Sequence, residues 1–381
     1  MSAPRLLILV SRDYGELTNA VYFARACSPD AVLLLPEKLD SPNRGTLGVR
    51  TIAYASGSEV AGVIEREQPD VVLLFSGYLL VINQLFDIPG LAQLLAGLAQ
   101  RGIRVATSDS FLGLLTEGQP SPFNPRHPGK PWLDGHFQRI ARLMQPYAHI
   151  YTGPPALFPG ARKLAFFNPD MVDQEAAAAA RRARLAQCAE LVAGRPIWLF
   201  VLADEDHQIQ LAKYGQQGFE HMLAARLADA AAAGAQAVLI AAPACIASLR
   251  ARPAAPAFAA WSACSHQQFG DLATEARHIF YWNMISNSIL LRLANRLPLT
   301  FFDYGHLVNT VPALFQLACA TYFGNSMPVL RDAREPLTAA QLDAADTMQR
   351  AALDPAAASL LALDRPPALL QTLLAHDKEP T

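Results

Sequence analysis

The sequence has few charged residues and no excess of either sign. Only 17% of the 381 residues are Asp, Glu, Lys or Arg, and the formal net charge is -2 at pH 7. A protein that holds nucleic acid on a broad surface needs clustered Lys and Arg to neutralise phosphates. The composition therefore excludes nucleic acid as a partner of that kind, whereas a small anionic ligand needs only a local site.

Paired cysteines and long hydrophobic runs are also missing. The five cysteines are scattered, with no CxxC pair or zinc-like spacing, which predicts reduced thiols and no cysteine-based metal site. The start, MSAPRLLILVSRDYG, has five apolar residues in a row, too few for a signal peptide or a membrane-spanning helix. We expect a cytoplasmic protein without a transmembrane segment.

Several short fingerprints of nucleotide binding and catalysis are absent as well. The turn after the first apolar run lacks GxGxxG, and the chain has no GxxxxGK[ST], GxSxG or HExxH. These absences argue against conventional NAD binding, P-loop phosphoryl transfer, hydrolysis by a nucleophile elbow and zinc proteolysis.

The first half of the chain alternates short apolar runs with helix-like segments. This order predicts βαβ units and a parallel sheet covered on both faces. The runs that we interpret as strands are Leu6 to Val10, Val32 to Leu35, Val49 to Tyr54, Val71 to Phe75 and Ile103 to Thr107. Ligands bind at the carboxyl ends of such strands, so the polar loops 11–18, 76–78 and 108–113 are predicted to line one edge.

A second α/β pattern begins at Pro196 to Leu202, which predicts a strand before a polar loop, Ala203 to Gly218, and a helix, Phe219 to Ala233. The predicted fold is α/β with two domains, 1–180 and 181–335, and a helical tail, 336–381. The Gly- and Pro-rich segment 117–131 is an exposed loop, either a lid over an acceptor or a surface excursion.

The stretch Asn283 to Asn309, NMISNSILLRLANRLPLTFFDYGHLVN, combines a polar helix start with polar residues after a strand. The residues concerned are Ser286, Asn287, Ser288, Asp303 and His306. A helix N-terminus offers unpaired N–H groups and a partial positive charge, so this stretch is a candidate phosphate site. The alternatives are that Ser286 or Asn287 caps the helix and that His306 is a structural hydrogen-bonding residue.

A second group of polar residues follows the first strand, in SRDYGELTNA. Asp13 is our candidate general base, with Glu16 as a second carboxylate beside it. The alternative is that Asp13 or Thr18 caps the first helix. By their positions after strands, the candidate acceptor contacts are Tyr14, Ser76, Tyr78 and Asp109.

With these two segments in view, the chain resembles glycosyltransferases of the GT-B type. The run DYGE, Asp13 to Glu16, is similar to the loop after the first strand in bacterial protein-arginine rhamnosyltransferases. The resemblance implies two Rossmann-like domains facing across a cleft, with the acceptor on the first domain and a nucleotide-sugar donor on the second. In that group an aspartate of this loop is the base, which the resemblance assigns to Asp13.

The chain departs from those enzymes at two places. Their Arg-Gly-Glu-Asp-Ser stretch is replaced by Ile285, Ser286, Asn287 and Ser288, so their acidic contacts cannot be carried over. The Glu of retaining enzymes is missing, and Asp303 is its nearest analogue. The resemblance thus implies an inverting, metal-independent transfer with no cofactor, in which the helix start at Ser286 stabilises the leaving diphosphate.

Two other functions remain open on the sequence alone: a sugar-nucleotide epimerase and a non-catalytic nucleotide- or sugar-binding protein. The run Asp204 to His207 follows a strand and is either a metal or substrate contact or, as we expect, a solvated acidic loop. Tyr281 or Trp282 is either a platform for a nucleotide base or part of the core.

Overall fold

The structure is a computed structural model of the chain. It describes residues 4–12, 14–116, 119–151, 163–165, 167–168, 171–172, 175–253, 255–323, 329–363 and 366–375. The chain divides into two compact units: unit 1 comprises Met1–Asp170 and Ser359–Thr381, and unit 2 comprises Met171–Ala358.

The described part of unit 1 contains a seven-stranded parallel sheet in the order β3-β2-β1-β4-β5-β6-β7. Its strands are β1 (Leu6–Val10), β2 (Val32–Pro36), β3 (Arg50–Tyr54), β4 (Val71–Phe75), β5 (Arg104–Ser108), β6 (Ala148–Tyr151) and β7 (Lys163–Ala165). Its helices before residue 170 are α1 (Tyr14–Cys27), α2 (Glu37–Asn43), α3 (Gly57–Glu67), α4 (Gly77–Ile82), α5 (Ile88–Gln100) and α6 (Lys130–Met144).

Unit 2 has a five-stranded parallel sheet in its described residues, in the order β10-β9-β8-β11-β12. The elements are α7 (Glu175–Ala186), β8 (Ile197–Val201), α8 (Asp204–Ala232), β9 (Gln236–Ile240), α9 (Pro243–Arg250), β10 (Ala259–Trp261), α10 (His266–Glu275), β11 (His278–Tyr281), α11 (Asn287–Ala294), β12 (Thr300–Phe301), α12 (Leu307–Thr310), α13 (Pro312–Phe323) and α14 (Ala339–Leu361). The last described helix, α15 (Pro366–Ala375), packs against α1 of unit 1.

Both sheets have the strand order of a Rossmann fold, so the predicted α/β class with two Rossmann-like halves is confirmed. The order reverses between β1 and β4 in unit 1 and between β8 and β11 in unit 2. Because ligands of such sheets bind at the carboxyl ends of the strands on either side of that reversal, these two points are where a site is expected.

The central strands are apolar because helices cover both faces of each sheet. Every residue of β1, β2 and β4 is buried. In unit 2, Phe280 of β11 stacks on Phe200 of β8, with ring centroids 4.6 Å apart, and on Phe302 at 5.4 Å. This aromatic row fixes the carboxyl ends of β8, β11 and β12 beside one another.

Three predicted loops are in fact helical. Helix α1 begins at Tyr14, α4 begins directly after Ser76, and α8 begins at Asp204 and runs to Ala232. Acidic side chains in the first turn, such as Glu16 of α1 and Asp204 of α8, stabilise a helix N-terminus. The second half of α8 matches the predicted helix Phe219 to Ala233, whereas the first half was missed because Gly215 interrupts the helix with a left-handed φ of 68°.

The predicted loop 117–131 has no helix or strand between 119 and 129, and α6 begins at Lys130. Residues 117 and 118 lie outside the described residues. Lys130 pairs with Asp134 one turn along α6. The hypothesis of a lid stays untested. No helix among the described residues is long and apolar enough to cross a membrane, and all five cysteines are free thiols.

Candidate functional site

The start of α11 lies at the carboxyl end of β11, beside the strand-order reversal of unit 2. Ser286 is the N-cap residue, with extended φ and ψ of -148° and 138°, but its side chain makes no capping hydrogen bond. Its hydroxyl instead shares a 2.8 Å hydrogen bond with the Ser288 hydroxyl, which also accepts from Tyr281 at 2.9 Å. The alternative that Ser286 caps the helix through its side chain is therefore wrong.

Helix α11 is held in place by a buried guanidinium. Arg292 is fully buried and donates to the carbonyl oxygens of Ala276 at 2.7 Å, Ala273 at 3.2 Å and Pro298 at 2.8 Å. Burial lowers the pKa of Arg292 to about 10, which leaves it charged at neutral pH. These bonds tie α11 to the end of α10 and the segment before β12, so the helix start has a fixed position.

A buried carboxyl group lies across the strand-order reversal from α11. Asp206, in the first turn of α8, is 4% exposed and accepts a short hydrogen bond from the Asn283 amide. Burial raises the pKa of Asp206 to about 6, although the Asn283 bond and the nearby His306 act in the opposite direction. The Asn283 oxygen accepts from the Ile285 N–H at 3.1 Å, so Asp206 and Asn283 together shape the loop that enters α11.

Asp303 follows β12 and is also engaged within unit 2. Its carboxylate accepts from Gln210 at 3.0 Å, Lys213 at 3.1 Å and the Gly305 N–H at 3.1 Å. Burial raises the pKa of Asp303, but these three hydrogen bonds outweigh that effect and leave the pKa below its ordinary value. Asp303 is thus an ionised group next to an acid that is easily protonated, Asp206.

His306 lies on the same loop and faces the first turn of α8. Its Nε2 is 3.4 Å from Glu205 Oε1, and its side chain is 35% exposed. Between it and Asp303, Gly305 has a left-handed φ of +84°, and a Cβ at this position would lie 2.8 Å from the Cβ of Asn283. The loops after β11 and β12 therefore touch, and only glycine fits at their contact.

The structure thus brings three of the predicted donor residues, Ser286, Asp303 and His306, to one edge of the unit 2 sheet. Asn287 is the first residue of α11, and Ser288 is buried as a structural link to Tyr281. The sequence analysis missed Asp206, Asn283, Gln210 and Lys213 as members of this group. Asp204 to His207 were expected in a solvated loop, but Asp206 and His207 are buried in α8.

The predicted base platform is a core feature in this fold. Tyr281 and Trp282 are 0% and 1% exposed, and Trp282 packs on Phe302 and Phe219. Neither ring presents a face for a nucleotide base.

Glu16 is a predicted residue of unit 1 whose carboxylate lies at the sheet edge. It is half-buried in the first turn of α1 and accepts from the hydroxyl of Ser108, the last residue of β5, at 2.8 Å. Asp13, the candidate base, lies outside the described residues, as does the side chain of Tyr14. Their predicted roles stay predictions.

The other predicted acceptor residues have partners inside unit 1. Ser76 is fully buried and caps α4 by accepting from the Leu79 N–H at 3.2 Å. Tyr78 shares a 2.9 Å hydrogen bond with His149, and burial raises the pKa of its phenol. Asp109 accepts from the N–H groups of Phe111 and Gly113 at 2.7 and 2.9 Å. All three side chains form hydrogen bonds within unit 1 that stabilise the edge of the sheet.

One group of metal-capable side chains occurs elsewhere in the described part of the chain. His278 approaches Asp343 and Asp346, with nitrogen–oxygen distances of 3.6 and 3.1 Å. His278 begins β11, at the opposite end of the strand from α11, and Asp343 already accepts two hydrogen bonds from Arg277. This group is not part of the candidate site.

No protein-family model matches the sequence, and no curated protein sequence matches it significantly. Solved structures, however, match over nearly the whole chain. The glycosyltransferase VinC in complex with DTDP is 13% identical, with a TM-score of 0.55, and the match covers 97% of this chain and 98% of VinC. The spinosyn rhamnosyltransferase SpnG is 15% identical, with a TM-score of 0.54 and coverage of 97% and 99%.

The chain has the GT-B fold. At these identities the likeness is one of fold. A third match is the UDP-GlcNAc 2-epimerase of Methanocaldococcus jannaschii in complex with UDP-GlcNAc and UDP, which is 10% identical, with a TM-score of 0.54 and coverage of 97% and 99%. The predicted GT-B architecture is therefore confirmed, while the reaction has to be argued from the site.

Proposed function

We propose that this protein is a glycosyltransferase that moves a sugar from a nucleotide-sugar donor to an acceptor. The observation that carries the proposal is the start of α11 at the strand-order reversal of unit 2, where the Ser286 side chain makes no capping hydrogen bond to the helix. A helix start of this kind and its dipole favour an anion. Two of the matched structures support the same proposal, because they are nucleoside diphosphate complexes: VinC with DTDP and SpnG with thymidine diphosphate.

In this mechanism the donor's diphosphate lies at the start of α11. Negative charge develops on the diphosphate as its bond to the sugar breaks, and preorganised N–H groups stabilise that charge without reorganising. Arg292 supports this role indirectly, since its three carbonyl partners keep α11 from shifting. Asn287, the first residue of α11, and His306, on the loop after β12 that contacts the loop entering α11, are proposed as further donor contacts.

Three acidic side chains near the start of α11 affect the binding of the donor's diphosphate. Glu205, Asp206 and Asp303 would repel a diphosphate if all three were ionised. Glu205 has His306 as partner and Asp303 has Lys213, whereas Asp206, whose pKa is raised by burial to about 6, takes up a proton more readily than an exposed acid. A protonated Asp206 removes one negative charge from the donor side, which favours donor binding at mildly acidic pH.

On the acceptor side we propose Asp13 as the general base that takes the proton of the attacking group, with Glu16 as its neighbouring carboxylate. A direct displacement of this kind inverts the anomeric carbon, and it needs neither a metal nor a cofactor if α11 stabilises the leaving group. Glu16 is held by Ser108, which fixes it in the first turn of α1.

The decisive experiment measures binding and turnover separately. Calorimetry against UDP-, GDP-, dTDP- and CMP-sugars identifies the donor, and Asp13→Ala is then compared with Asp30→Ala, a change of an exposed aspartate in the same unit. We expect Asp13→Ala to lose at least 100-fold in turnover, as general bases contribute about that much, with unchanged donor affinity. If no nucleotide sugar binds, the proposal is wrong.

The epimerase matches favour one second candidate, a sugar-nucleotide 2-epimerase. The two reactions differ in their need for an acceptor. Nuclear magnetic resonance of the bound donor, incubated with the protein alone, distinguishes them: an epimerase changes the configuration of the sugar, whereas the transferase leaves it unaltered.

A further inference from the structure

Unit 1 contains a cavity of about 410 Å³, open to solvent, between α6 and the connection from α4 to α5. This volume lies in the range of small-molecule sites. Ile88 and Pro89 of the cavity wall are in the first turn of α5, which leads into β5, so this part of the cavity lies toward the carboxyl ends of the strands, where ligands of such sheets bind. His136 and Arg139 are in the second and third turns of α6. The residues that form its apolar wall are Val81, Phe86, Ile88 and Pro89.

The cavity has one positively charged group that is available to a ligand. Arg139 of α6 lines it, is exposed, and has no carboxylate partner in the part of the chain that the structure describes. The carboxylate of Asp87, also in the wall, is committed to the Gly90 N–H at 2.7 Å as the cap of α5. Burial and the charge of Arg139 lower the pKa of His136, so at neutral pH the positive charge of this wall comes from Arg139.

An exposed aromatic surface extends the cavity along α6. Trp132 is 65% exposed, although most tryptophans are largely buried. Its ring stacks on that of His136, one turn later, with centroids 4.7 Å apart and an angle of 10° between planes. The pair offers a flat face beside Arg139, against which a planar ring can stack.

We propose that this cavity binds a planar, apolar molecule with one acidic group, its ring against the wall and the Trp132–His136 pair and its anion on Arg139. If the proposed function is correct, a molecule of this kind is the acceptor of the sugar. This assignment as acceptor rests on the proposed function, whereas the binding itself does not. Val81 lies on α4, three residues after Tyr78, so the cavity adjoins the edge where acceptor contacts are predicted.

The test uses 2-naphthoate and its uncharged analogue 2-naphthamide as probes of the full chain without nucleotide. We expect calorimetry to show naphthoate binding with a site ratio of one. Arg139→Gln should weaken naphthoate binding about tenfold and leave naphthamide binding unchanged, whereas Arg142→Gln, on the same helix but outside the cavity, changes neither. Ile88→Asn should weaken both probes, because it places a polar group in the apolar wall.

Several outcomes overturn the inference. Absence of naphthoate binding does so, as does an equal loss in the Arg139 and Arg142 variants, or an equal loss of both probes in Arg139→Gln. Far-UV circular dichroism and the melting temperature of each variant show whether it is folded. If nucleotide sugars bind and naphthoate does not, the acceptor class is wrong while the transferase proposal stands; if naphthoate binds and no nucleotide sugar does, the cavity stands and its role as an acceptor site falls.

Discussion

The carboxyl group of Asp206 is buried in unit 2, and its burial destabilises the folded state when the group is ionised. Burial raises its pKa to about 6, well above the value of about 3.9 in an unfolded chain. The folded state therefore binds the proton more tightly than the unfolded state. The resulting stabilisation is complete below pH 4 and is lost as the pH rises through 6.

Asp206→Asn should accordingly stabilise the protein at high pH. The amide still accepts the hydrogen bond from Asn283 but carries no charge, so at pH 8 we expect a gain on the order of 2 kcal/mol in the free energy of unfolding, shrinking toward pH 4.5. Urea unfolding at the two pH values measures it. Asp204→Asn, an exposed change in the same turn, is the control; if its effect equals that of Asp206→Asn, burial of Asp206 is not the cause.

At the scale of elements, the start of α11 has opposite consequences for stability and for binding. Its Ser286 side chain does not cap the helix, so the helix dipole acts on whatever lies before it. A negative side chain placed there stabilises the helix through the dipole by about 0.3–1 kcal/mol. The same charge competes with a diphosphate for the same N–H groups.

We therefore predict that Ser286→Asp raises the melting temperature and weakens the binding of a nucleoside diphosphate at least tenfold. Calorimetry and thermal unfolding at low ionic strength show both effects, and added salt should reduce them together. Ser265→Asp is the matched control, since Ser265 caps α10 through its side chain and lies at no candidate site. Diphosphate binding that is unchanged in Ser286→Asp would mean that α11 does not hold the donor.

At the scale of the whole molecule, the sequence predicts the strands and helices that follow from a local pattern of apolar residues. The runs Leu6 to Val10 and Val71 to Phe75 match β1 and β4 to the residue, because strands buried on both faces are apolar throughout. The second half of α8 was predicted, but the part before Phe219 was missed because its first turn is polar and Gly215 interrupts the helix. The burial of Asp206 was unpredictable, since its partner Asn283 is 77 residues away in the chain.

The C-terminal helix α15 is another long-range feature, because the last segment, Ser359–Thr381, belongs to unit 1 although it follows unit 2 in the chain. Leu370 of α15 is 4% exposed and packs in the core formed by β1, β2 and α1. Removing a buried leucine side chain costs about 2–5 kcal/mol. Leu370→Ala should therefore destabilise unit 1, while Gln371→Ala, an exposed neighbour, should not.

Hydrogen exchange followed by mass spectrometry resolves this effect by unit. In Leu370→Ala we expect faster exchange in peptides from β1, α1 and β4, because the core that they share with α15 opens more often. Peptides from β8, β9 and β11 should keep the exchange rates of the unaltered protein, since their core is formed within unit 2. An equal increase in both sets of peptides would show that Leu370 stabilises the chain as one cooperative body, and an unchanged pattern would show that α15 adds nothing to unit 1.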